Sequence, residues 1–142
     1  MPRFERLTSI KTPLVNKFYA QHNARGRANR QDAVWVAYDG FDIIAACRMQ
    51  NRGGYLFLST VLVAPHWRKQ GVASALIKQA TFAQQGVVYT FAYENLIHFY
   101  QSIGFNFVLT LPSSLKVLFK AYEQRNIVPL QCSIDENLEY VS

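Results

Sequence analysis

The stretch Val61-Leu62-Val63-Ala64-Pro65-His66-Trp67-Arg68-Lys69-Gln70-Gly71-Val72-Ala73-Ser74-Ala75-Leu76 contains a change of hydrophobic period. Up to Val63, the run from Tyr55 is apolar enough for a strand buried on both faces. Beyond Pro65, Val72, Ala75, Leu76, Gln79 and Ala80 recur at helical spacing to about Ala83, with Gly86 ending the run. A strand therefore enters a short basic turn, and a helix opens at a Gly-X-small-Ser sequence. The first N–H groups of a helix have no partner within it, and they carry partial positive charge. Gly71 and Ala73 leave that backbone bare, while Arg68 and Lys69 add full charges. Such a turn can cradle a pyrophosphate. Neither the Gly-x-x-x-x-Gly-Lys-Ser/Thr loop nor the Gly-x-Gly-x-x-Gly fingerprint occurs in it.

Upstream, Phe4 to Thr8 reads as a short strand. Thr12 as N-cap with Pro13 at the first position predicts a helix, with Leu14, Val15, Phe18 and Tyr19 on its apolar face. Arg25-Gly26-Arg27-Ala28-Asn29-Arg30 is a polar basic loop. Ala33–Tyr38 and Phe41–Met49 flank Asp39-Gly40 as a hairpin, and Asn51 to Gly54 marks a second turn. Downstream come a strand at Val87–Ala92, a helix over Glu94–Ile103 stopped by Gly104, and a strand at Phe105–Leu109. Pro112 then opens a helix to about Arg125, and Pro129 stands at the mouth of a closing strand, Leu130–Ile134. The order β-α-β-β-β-α-β-α-β-α-β predicts an α/β fold: one domain over residues 1–142, with a mixed, mostly antiparallel central sheet flanked by helices.

Composition agrees with this. With 142 residues, half of them hydrophobic, the chain can build one core, and it is too apolar for a disordered tail. The longest apolar stretch, Leu56 to Pro65, is broken by Ser59 and Thr60 and falls short of the roughly 18 residues of a membrane span. Met1 to Arg6 mixes charge with apolar residues, so no secretory signal is expected. Cys47 and Cys132 have no metal spacing and read as buried free thiols in a reducing cytoplasm. The net charge of +6 is unevenly spread: residues 1–71 carry eleven basic and four acidic side chains, and residues 72–142 carry four and five. That asymmetry suggests an anionic partner for the first half, either a nucleic acid or a phosphorylated small molecule.

Val63-Ala64-Pro65-His66-Trp67-Arg68-Lys69-Gln70-Gly71-Val72-Ala73 resembles motif A of the GNAT superfamily of acetyl-CoA-dependent N-acetyltransferases, Gln/Arg-x-x-Gly-x-Gly/Ala. Asn95-Leu96-Ile97-His98-Phe99-Tyr100-Gln101-Ser102-Ile103-Gly104-Phe105 is similar to motif B, with its Tyr-x-x-x-Gly-Phe ending. The resemblance implies acetyl-CoA as acetyl donor, no metal, and an amine-bearing small molecule or peptide as acceptor. It implies that backbone groups of Val61, Leu62 and Val63 meet the pantetheine arm. Arg68, Lys69, Gln70, Gly71, Val72, Ala73 and Ser74 would hold the pyrophosphate. Tyr100 would protonate the departing thiolate, and an unperturbed phenol pKa of about 10 suits that task. One departure stands out: the family often places an Asn seven residues before this tyrosine, where this chain has Tyr93. Asn95 is the nearby amide, to bind pantetheine or to cap the helix.

Each assignment has a plainer alternative. Arg68 and Lys69 also fit a solvated turn, and Tyr100 a core aromatic beside Leu96 and Ile103. His66 and His98 read as structural. For the general base, Tyr55 to Val63 has no carboxylate; Glu94 is the nearest candidate, with ordered water or a helix-dipole role for Glu94 as alternatives. Arg48 fits either a substrate anion or a surface strand charge. Arg25, Arg27 and Arg30 fit a solvated loop or a site for an acidic or nucleic-acid-associated substrate. The enzyme reading competes with a non-catalytic acyl-CoA-binding module. A small nucleic-acid-binding domain ranks last, because it leaves Gly71 to Ser74 unexplained. No membrane partner is expected, and homodimerisation is compatible with the sequence, though no motif specifies it.

Overall fold

A computed structural model describes residues 1–84 and 86–134. The strands are β1 (Arg3–Leu7), β2 (Ala33–Asp39), β3 (Asp42–Arg52), β4 (Tyr55–Val63), β5 (Gly86–Tyr93), β6 (Asn106–Phe107) and β7 (Ile127–Ile134). The α-helices are α1 (Thr12–Gln21), α2 (Val72–Phe82), α3 (Ile97–Ser102) and α4 (Ser113–Tyr122). Short 3-10 turns at Ser9–Lys11, Pro65–Trp67, Glu94–Leu96 and Glu123–Arg125 link them. The fold is mixed α/β, and its sheet has the strand order β1-β2-β3-β4-β5-β7-β6. The β1–β2, β2–β3, β5–β7 and β6–β7 pairs are antiparallel.

The chain divides into two compact units: Met1–Gln50 with Leu58–Ala83, and Asn51–Phe57 with the described residues from Gln84 on. In the first, α1 turns Val15, Phe18 and Tyr19 onto Val34, Val36 and Tyr38, alternate residues of β2. Val15 and Tyr19 are almost wholly buried, and each such side chain contributes roughly 1.5–3 kcal/mol of hydrophobic stabilisation. α2 packs against β1 and β2, with Val72, Leu76, Ile77 and Ala80 buried. In the second unit, Phe57, Tyr89 and Leu115 form a core. The Phe57, Phe91 and Phe119 rings meet edge-on in sequence, with centroids 4.7 and 5.3 Å apart.

Several boundaries differ from the expectation. Helix α1 starts at Thr12 itself, behind a 3-10 turn, and the Thr12 hydroxyl donates back to the Ser9 carbonyl at 2.6 Å instead of capping. The segment expected as one helix over Glu94–Ile103 is a 3-10 turn followed by the short α3. β6 holds two residues, opposite Gln131 and Leu130. β7 starts at Ile127, so Pro129 lies inside it, opposite Phe91. Because Pro129 is one residue beyond the segment that β6 pairs, its missing N–H is tolerated as at a sheet edge. Among the described residues, no helix is long and apolar enough to cross a membrane. Both cysteines are free and buried.

Candidate functional site

The turn after β4 presents bare backbone and the open first turn of α2. The Ala64 N–H donates to the Ile44 carbonyl at 2.7 Å and anchors the end of β4 to β3. Pro65–Trp67 makes one 3-10 turn, then Lys69 (φ +63°) and Gly71 (φ +80°) both take left-handed backbone on either side of Gln70. Gly71 is the N-cap of α2, a conformation that costs a side-chain-bearing residue roughly 1–2 kcal/mol. The Gln70 amide donates to the His66 carbonyl at 2.8 Å, and Arg68 Nε donates to the Val63 carbonyl at 3.1 Å. Together these bonds brace the turn against β4. The helix ladder begins with the Ala75 N–H on the Gly71 carbonyl, so the Val72, Ala73 and Ser74 N–H groups belong to the unpartnered first turn. A Cβ built on Gly71 would meet nothing within 4 Å, so the mouth of the turn is open. Lys69 and Gln70 are exposed, Ala73 and Ser74 half-buried. This arrangement fits an anionic pyrophosphate.

Just before the assigned strand residues, Thr60 sits within β4 at φ +52°. For a β-branched residue that is a rare conformation, held only where the surroundings over-determine it. Tyr19 Oη donates to the Thr60 carbonyl at 2.7 Å. Arg48 Nη1 donates to Thr60 Oγ1 at 3.2 Å, while Arg48 Nε pairs with Asp32 at 3.0 Å. Gly26 closes the cluster: a Cβ there would lie 2.7 Å from Thr60 Oγ1 and 3.1 Å from Arg48 Nη1. Arg48 is thus neither a surface charge nor a free anion receptor. It is buried, with side-chain exposures of 9% and 8% for it and Asp32. Burial, and to a lesser degree Cys47, push the Tyr19 phenol well above its ordinary range; Arg48 opposes and Asp32 adds. Downstream, Leu62 packs into the core of the first unit, so Val61 and Val63 face the other way.

The remaining candidates lie in the second unit. Tyr100 is buried at 6% exposure near the end of α3, between the Phe99 and Phe105 rings at 5.2 and 5.4 Å. Glu94 and Asn95 are exposed on the 3-10 turn that precedes α3. The N-caps of that turn and of α3 are Tyr93 and Leu96, and neither makes a side-chain capping bond, so Asn95 is not the helix cap. His66 and His98 are exposed. Among the described residues, no group of three His, Cys, Asp or Glu could hold a metal ion.

The residues that sequence reasoning missed are Tyr19, Gly26, Asp32 and Thr60. The signal available was the Ser59-Thr60 pair interrupting an apolar run, which reads merely as a break in hydrophobicity.

The family model described as an acetyltransferase (GNAT) domain matches residues 30–107, more than half of the chain, and the chain belongs to that family. No curated protein matches the chain. Among solved structures, N-acetylglutamate synthase from Neisseria gonorrhoeae, complexed with coenzyme A and N-acetyl-glutamate, is similar at TM-score 0.72 and 11% identity. That match covers 96% of this chain but 36% of the synthase. ElaA from Escherichia coli is similar at TM-score 0.68 and 15% identity, over 94% of this chain and 100% of its own. A GNAT family acetyltransferase from Elizabethkingia anophelis, with acetyl-CoA bound, is similar at TM-score 0.64 and 12% identity, over 94% and 98% of the two chains. At these identities the likeness is one of fold.

Proposed function

We propose that this protein transfers the acetyl group of acetyl-CoA to a primary amine by direct attack within a ternary complex. The observation that carries this reading is the braced turn with left-handed Lys69 and Gly71 opening onto the first turn of α2. Lys69 to Ser74 bind the pyrophosphate through backbone N–H groups and the Lys69 charge, with Arg68 alongside. The pantetheine arm runs back along Val63, Leu62 and Val61, so the thioester end lies toward Thr60. The amine nitrogen bonds to the thioester carbonyl carbon and the carbon–sulfur bond breaks. Strand N–H groups polarise the carbonyl. Tyr100 gives its proton to the departing thiolate, and the proton lost by the amine passes to Glu94 or to water. Asn95 serves the pantetheine amides. Two buried free thiols support a reducing compartment such as the cytoplasm.

Tyr100→Phe tests the reading, because the ring contacts with Phe99 and Phe105 survive the change. The variant is expected to bind acetyl-CoA as wild type does, by calorimetry, while acetyl transfer to a panel of amines, polyamines, amino acids and peptide N-termini falls about 100-fold. A wild-type protein that binds acetyl-CoA tightly and acetylates none of that panel is a binding module, and the proposal then fails.

A further inference from the structure

We infer that the loop bearing Arg25, Arg27 and Arg30 reads carboxylate groups on the acceptor, which makes the preferred substrate an amine carrying several carboxylates. The inference rests on the acetyltransferase reading above and names the substrate class of that site. The loop has no regular secondary structure, yet it is fixed in place. The Asn16 side chain bonds both backbone groups of Ala28, accepting from its N–H at 2.7 Å and donating to its carbonyl at 3.0 Å. Asp32 accepts from the Asn29 N–H at 2.9 Å and from Arg48 Nε at 3.0 Å. Gly26 packs directly on Thr60.

Exposure alternates along this pinned backbone: Arg25 and Arg27 are exposed, Gly26 half-buried, Ala28 buried, and Arg30 exposed again. Arg25 and Arg27 therefore project to the same side. Among the described residues, no hydrogen bond or ion pair engages these three guanidinium groups, and the nearest carboxylate in sequence, Asp32, is committed to Arg48. Three forked cations can match carboxylates bidentately, and the fixed backbone leaves only the side-chain rotamers to be ordered on binding.

Position separates this role from that of the cradle. The loop touches β4 at Thr60, whereas the cradle follows Val63, three residues further along a strand that rises roughly 3.3 Å per residue. On the proposed path of the pantetheine arm, the backbone of this loop therefore lies toward the thioester end, while the pyrophosphate turn lies beyond Val63. The loop also lacks an aromatic side chain on which a base could stack, which favours carboxylates over a polynucleotide.

The experiment uses the whole protein with four probes: a peptide amine bearing four glutamates, its glutamine isostere, free glutamate, and a single-stranded oligonucleotide. Binding is followed by NMR titration in the presence of CoA, and transfer by release of free CoA from acetyl-CoA. Wild type is expected to prefer the glutamate peptide over the isostere about tenfold in kcat/KM, with the preference shrinking at high ionic strength. Each of Arg25→Gln, Arg27→Gln and Arg30→Gln should raise KM for that peptide about threefold with kcat unchanged, the pattern of a lost contact made equally in the ground state and the transition state. Lys17→Gln, an exposed charge on α1 outside the loop, should change neither. Free glutamate binding as tightly as the peptide would make the acceptor a small acidic amine; peptide binding alone would make it an acidic chain, and either result upholds the inference. Equal use of peptide and isostere, an effect of the loop variants on kcat alone, or preferential oligonucleotide binding lost in the triple variant would overturn it. Loop-dependent binding of the glutamate peptide without any transfer would show that the loop selects carboxylates but would defeat the acetyltransferase reading, and with it the assignment of the peptide as substrate.

Discussion

The phenol of Tyr19 donates a hydrogen bond of 2.7 Å to the carbonyl of Thr60, 41 positions away, and so ties helix α1 to the left-handed residue in β4. Tyr19→Phe keeps the buried ring and strands that carbonyl. The expected cost is about 1–2 kcal/mol in urea unfolding, together with faster hydrogen exchange at the neighbouring Val61 amide. Unchanged stability and unchanged exchange would show that the bond does not hold the bend.

Gly26 is required by close approach. Gly26→Ala forces a methyl group against Thr60 Oγ1 and Arg48 Nη1, and should destabilise the protein by about 1–3 kcal/mol. Thr60→Ala removes the nearer of those atoms, so in the double variant most of the Gly26→Ala penalty should vanish. A double-mutant cycle on unfolding free energies reads this directly; strict additivity would mean the two residues do not meet.

Gly71 is required by its conformation, since a Cβ there would have open space but φ is +80°. Gly71→Ala should cost about 1–2 kcal/mol in stability and weaken acetyl-CoA binding severalfold, because the turn's N–H groups lose their aim. Thermal unfolding and calorimetry measure the two effects separately. Full CoA affinity in a correctly folded variant would remove Gly71 from the cradle.

Burial pushes the Cys47 thiol from its ordinary 9.0 up to about 12, against a smaller pull from the backbone hydrogen bond with Trp35. Between those values the unfolded chain has released the proton and the native state still holds it, so stability falls as pH rises. The contribution is fully present below pH 9, and about 1 kcal/mol of it is lost between pH 9 and 10. Tyr19 shifts in the same direction, which steepens the fall above its own ordinary value of 10.0. Urea midpoints measured from pH 7 to 10.5 should be flat and then decline, with the decline reduced in Cys47→Ala. Cys132, also raised by burial, maintains part of the remaining slope.

The element order was legible because periodicity and punctuation are local: Asp39-Gly40 stands at the hairpin, Pro65 and Gly71 bracket the turn, and Gly104 closes α3. The backbone of the turn proposed as the cradle was legible for the same reason, since Arg68 to Ser74 are contiguous in the chain. The Thr60 cluster was hidden because each of its members looks ordinary in its own segment. Tyr19 reads as one more apolar residue of a helix face, Arg48 as a strand charge and Gly26 as loop punctuation. The left-handed turn at Thr60 goes against its local preference, and contacts 12, 34 and 41 residues distant impose it. Asn95 failed as a cap for a smaller reason: a 3-10 turn intervenes, which shifts the helix start to Ile97 and leaves Leu96 at the cap.

The paired bonds between Asn16 and Ala28 imitate one rung of a β-ladder, with a side-chain amide standing in for the partner strand. An aperiodic segment is thereby welded to a helix. The Ala28 amide should exchange with solvent as slowly as the α1 amides do, and the arginines on either side of it should share the motion of that helix on the nanosecond scale instead of that of a free loop.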